Sequence, residues 1–104
     1  MLVSNIETIP NREIKDILGL VSGSTVRAKH IGKDLMAGLK NIVGGELEGY
    51  TELLQEARSE ALSRMQDEAT ALGADAIVNV RFSTSSVAQG AAELFAYGTA
   101  VTLS

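Results

Sequence analysis

The sequence predicts an α+β domain with helices on one face of a small sheet. Apolar residues keep helical spacing from about Tyr50 to Leu72, and three other segments carry the apolar or alternating patterns of strands. Their order along the chain is strand, helices, strand, strand. At 104 residues the chain is expected to be a single domain, 1–104, with a lead-in at 1–12 that Pro10 closes.

The first strand is placed at Ile14–Val26, rich in Ile, Leu and Val, where Gly19 and Gly23 suggest bulges or bends. A short helix is expected from about Lys33 to Val43, with Leu35, Met36, Leu39, Ile42 and Val43 on one face. Gly38 inside it costs about 1 kcal/mol relative to alanine and suits close approach of another backbone. Gly44 and Gly45 then turn the chain into the long helix. The stripe of that helix is Tyr50, Leu53, Leu54, Ala57, Ala61, Met65, Ala69 and Leu72, mostly small residues that permit close packing. Gly73 stands where a left-handed C-terminal cap wants glycine.

Two strands follow. In Ala76–Thr84, Val78, Val80 and Phe82 are expected on one face and Ile77, Asn79 and Arg81 on the other. In Leu94–Leu103, Phe95, Tyr97, Thr99, Val101 and Leu103 share one side, and Leu94, Ala96, Gly98, Ala100 and Thr102 the other. Ser85–Gly90 reads as the hairpin loop between them.

This architecture argues for self-assembly. A single helical layer covers one sheet face, and on this reading Ile17, Val21, Ile77, Leu94, Ala96, Gly98 and Ala100 are left facing water. Two open sheet edges also need cover. A second copy meets both needs in a closed ring or dimer.

Composition narrows the function. A net charge of −4 argues against nucleic acid or an anionic membrane surface as partner. No signal peptide or membrane span is recognisable, so a cytoplasmic location is expected. The absence of cysteine excludes disulfides, thiolate metal sites and Cys nucleophiles. With one histidine, no Ser/His/Asp set can be argued, and the chain is read as a non-enzyme.

Four features invite a functional reading. Gly44–Thr51 has P-loop glycine spacing, but Tyr50 replaces the lysine and two carboxylates oppose phosphate, which leaves a helix-to-helix connection. Glu48, Glu52, Glu56 and Glu60 form a column of carboxylates. It reads as a solvated face closed by Arg64 through Glu60, with subunit salt bridges or a hard-cation site as alternatives. Arg27, Lys29, His30 and Lys33 form a basic cluster suited to a solvated turn, a subunit contact or a small anion. His30 with Asp34 is a weak metal-ligand couple, so His30, Asp34, Glu48 and Glu52 are the weak metal candidates and no cofactor is identified.

The run Lys33-Asp34 … Ala37-Gly38-Leu39-Lys40-Asn41-Ile42-Val43-Gly44-Gly45 … Tyr50, then Ala57-Arg58 and Leu72-Gly73-Ala74-Asp75-Ala76-Ile77-Val78, resembles the YbjQ family of small bacterial proteins. Gly98-Thr99-Ala100-Val101 ends the match. The resemblance implies a dodecin-like β-α-β-β subunit assembled as a homopentameric ring. It also brings a heavy-metal-binding label, to which a chain with no thiol and a single imidazole gives only weak support. Within the motif, Gly38, Gly44, Gly45 and Gly73 suit turns and close packing, and Asp34 and Arg58 are candidates for an ion pair within or between subunits. The expectation is a ring that holds a metal or other small ligand at a subunit interface. The alternative is a scaffold that acts through a protein partner.

Overall fold

A computed structural model describes residues 1–28, 48–89 and 91–104. Among them are β1 (Leu2–Val3), β2 (Ile14–Ala28), helix α1 (Glu48–Ala71), β3 (Ala76–Ala88) and β4 (Ala91–Leu103). The four strands form one mixed sheet in the order β1-β3-β4-β2, antiparallel except for β1, which runs parallel to β3. The helix expected at Lys33–Val43 lies outside the described residues, as do Gly38, Gly44 and Gly45.

Helix α1 forms where the periodicity predicts. Ala57, Ala61, Met65 and Ala69, spaced four apart, are all buried against the sheet. The helix ends as the glycine implies: Gly73 has φ +81°, its N–H donates to the Thr70 carbonyl, and the Ala74 N–H donates to the Ala69 carbonyl. These two bonds are the Schellman pattern, which uses carbonyls the last turn would otherwise leave unpaired.

The sheet corrects the sequence reading in its choice of face. Val21, Ile77, Ala96 and Ala100, expected to face water, form the core beneath α1 with Ala61, Met65 and Ala69; Leu94 is buried on the same side. The cause is mutual smallness. An alanine-striped helix sits closest on a sheet face that is itself small, and Ala96, Gly98 and Ala100 supply that face. Ile17 alone of that group remains well exposed, at 72%.

Alternation in β3 is broken by a bulge between Val78 and Arg81, which places Val80 with Ile77 instead of with Val78. Asn79 sits in the bulge at φ +54°, a conformation asparagine tolerates better than most residues. The two glycines of β2 have different roles. Gly19, at φ +133°, borders the register shift between Ile17 and Gly19, as a bulge glycine should. Gly23 marks no bend; it is where α1 crosses the strand.

Ser85–Ala88, read as loop, continues β3, and β4 begins at Ala91. Residues 81–89 are all exposed, so the strand loses the apolar alternation by which sequence reveals strands. The lead-in is stitched to the sheet. Leu2 and Val3 pair with Ala76 and Ile77, and Ile9 closes a second small core with Ala76, Val78, Val101 and Leu103 on the opposite sheet face.

Candidate functional site

The second core covers only one end of that outer face. Toward the other end, β2 and β4 present Leu20 and Ser22 beside Phe95 and Tyr97, with Ser22 paired to Tyr97 and Ser24 to Phe95. The two aromatic rings stack with centroids 5.4 Å apart and planes 25° apart. Leu20, Val21, Ser22, Phe95 and Tyr97 line a shallow hollow of about 310 Å³. Leu20 is 81% exposed, Tyr97 40%, and Val26 is exposed on the same strand. The lining holds no carboxylate, amine or imidazole, so this surface suits apolar contact and not proton transfer.

An ion-pair network ties α1 to β2. Glu60 pairs with Arg27 of β2 and, at 2.5 Å, with Arg64 one turn along α1. Arg64 Nη1 also donates to the Ser24 carbonyl at 2.6 Å. The expected closure of the glutamate column by Arg64 through Glu60 is therefore present, and Glu52 and Glu56 are exposed as a solvated face requires. Arg27 belongs to the end of β2, with its charge directed to a glutamate of the same chain. Lys29, His30 and Lys33, its partners in the basic cluster, lie outside the described residues.

Of the metal candidates, His30 and Asp34 also lie outside the described residues, as does the side chain of Glu48. Glu52 is exposed on α1, and among the described residues no three of His, Cys, Asp and Glu come together to hold a metal ion. Met65, a thioether that a soft metal could use, is fully buried in the core. The described residues thus do not supply the donor set of a heavy-metal site. Arg58 is exposed and unpaired among the described residues; Asp34, its suggested partner, is outside them.

Two anchoring groups escaped the sequence reading. Asp75 Oδ2 accepts the Leu103 N–H at 2.9 Å, and the Asp75 N–H donates to the Val101 carbonyl at 2.9 Å, so one residue fixes the end of β4 to the start of β3. Thr25 is buried beneath α1 and donates its hydroxyl to the Ala57 carbonyl at 3.1 Å. Nothing in the spacing of β2 marks Thr25, although Asp75 stands in the Leu-Gly-Ala-Asp-Ala motif.

The profile of the YbjQ family, described as "Putative heavy-metal-binding", matches residues 1–104. The chain belongs to the YbjQ family. A UPF0145 protein of Hahella chejuensis is 69% identical over 103 residues, covering 99% of each chain. A UPF0145 protein of Archaeoglobus fulgidus is 65% identical, covering 99% of this chain and 95% of its own. YbjQ relatives therefore occur in archaea as well as bacteria, a wider range than the sequence resemblance implied. Among solved structures, a protein of unknown function from Pediococcus pentosaceus, of the DUF74 family, matches with a TM-score of 0.63, covering 100% of this chain and 98% of its own. At 15% identity that likeness is one of fold. Among the described residues, no helix is long and apolar enough to cross a membrane.

Proposed function

We propose that this YbjQ-family chain is a non-enzymatic, self-assembling module whose copies pack through the outer sheet face into a closed ring. Five subunits is the number that the sequence resemblance implies. The observation that supports this reading is the apolar surface formed by exposed Leu20 and Tyr97 and half-buried Phe95, with exposed Ile17 and Val26 along β2. Fully burying one side chain of this size stabilises an assembly by about 1.5–3 kcal/mol, so several together offset much of the cost of association. The function of the ring is then to present a small-ligand site that a single copy lacks, at the junctions between subunits. The metal label receives no support from the described donors, so assembly carries the reading and metal is an arm of its test.

Native mass spectrometry of protein purified without a metal-affinity tag tests the proposal, with and without zinc, copper and calcium. A pentamer is expected. A monomer at micromolar concentration overturns the ring. Uptake of one metal in a fixed ratio to subunits supports a metal site at the junctions, whereas a ring that stays bare directs attention to a protein partner.

A further inference from the structure

A second groove opens where the lead-in leaves β3. The Val80 N–H donates to the Ser4 carbonyl and the Asn79 N–H to the Ile6 carbonyl. At this point β3 carries its bulge, and beyond it the lead-in no longer accompanies the strand. The resulting gap, of about 590 Å³, is walled by Val3 and Ile6 of the lead-in, Leu62 of α1 and Val80 and Phe82 of β3, with Arg81 also lining it. Ile6 and Phe82, both in this lining, are each about half exposed.

Arg81 is the charged residue of this lining. Its Nη1 donates to the Asn5 carbonyl at 2.5 Å and to the Val80 carbonyl at 3.0 Å, which bridges the two walls and fixes the guanidinium. A guanidinium has five N–H donors, and the remaining three, on Nη2 and Nε, make no hydrogen bond among the described residues. No carboxylate among the described residues pairs with Arg81. A chain of net charge −4 thus holds in place, beside an apolar groove of the volume small molecules occupy, a cation that no carboxylate among the described residues neutralises.

We propose that this groove binds a small amphipathic carboxylate. The carboxylate takes the free donors of Arg81 in a two-pronged hydrogen bond, and the apolar body lies along Ile6, Leu62 and Phe82. The planar fork of arginine matches a carboxylate in a way that a point charge does not. The groove is complete within one copy, so the proposal stands or falls separately from the ring.

The test is titration of ¹⁵N-labelled protein, in its native assembly, with three probes: octanoate, 1-octanol and inorganic phosphate. Octanoate is expected to shift the amides of Asn5, Ile6, Arg81 and Phe82 and to bind about tenfold more tightly than octanol or phosphate, since each lacks one of the two contacts. Arg81→Gln is expected to bring octanoate down to the level of octanol, and Arg81→Lys to retain part of the difference. Equal binding of octanoate and octanol overturns the proposal, as does an unchanged affinity in Arg81→Gln. Absence of shifts at these amides up to roughly 10 mM octanoate does so too, because it places the affinity below a useful range. If Arg81→Gln does not fold, Phe82→Ser serves in its place. It is expected to weaken octanoate at least severalfold, and unchanged affinity there also overturns the site.

Discussion

Gly23 of β2 lies directly against Ala61 of α1: a Cβ on the glycine would stand 2.2 Å from the Ala61 carbonyl oxygen and 2.5 Å from the Met65 nitrogen. Both atoms are helix backbone, so no side-chain rotation relieves the overlap. Gly23→Ala must push the helix off the sheet, and a destabilisation of about 3 kcal/mol or more is expected, the upper range for overpacking. Urea unfolding measures it; a loss under 1 kcal/mol means that the helix does not cross the strand there.

Gly73 offers a contrast, because a Cβ there meets nothing within 4 Å. Its requirement is conformational, set by φ +81°. Gly73→Ala is expected to cost about 1–2 kcal/mol and Gly73→Asn distinctly less, since asparagine tolerates the left-handed region. Thermal melts of the two variants decide it; equal losses would point to a steric cause.

Glu60→Gln removes the charge shared by Arg27 and Arg64. All three groups keep part of their surface in water, so a loss of about 1 kcal/mol is expected at low salt, and less in 1 M salt. Parallel unfolding curves at the two ionic strengths measure the difference. A loss that ignores salt assigns the effect to packing instead of charge.

Leu20→Glu combined with Tyr97→Glu tests the outer face. Both side chains are exposed in the single copy, so the fold is expected to survive, with unchanged far-ultraviolet circular dichroism. Light scattering is then expected to report monomer for the variant and the proposed ring for the parent chain. A double variant that still assembles moves the interface elsewhere.

Element identities were legible where one physical signal dominated. The small-residue stripe of α1 marked the helix, and the glycine at its end marked the Schellman turn. Faces were less legible, because hydrophobicity alone favours Phe95 and Tyr97 as core over Ala96 and Ala100. Depth of helix seating reversed that order: small residues are buried because the helix comes close, and the aromatics are displaced to the far side. The bulge after Val78 was invisible for a related reason, since one inserted residue changes the phase of a pattern without changing its composition. The candidate site was less legible still. Arg27 stood out as one of several nearby cations, but its partner Glu60 is 33 positions away, and sequence gives no measure of that distance in space.

The pairing of β2 with β4 sets an order of events during synthesis. Ile14 is matched with Leu103, and some 75 residues separate the end of β2 from the end of its partner. At roughly 5–20 residues per second the first long strand must wait about 4–15 s before its neighbour exists. Throughout that interval Ile14, Ile17, Leu18, Leu20 and Val21 have no ladder to join. The ribosome thus releases an adhesive strand early, and chaperones that hold such segments are the expected companions of the nascent chain.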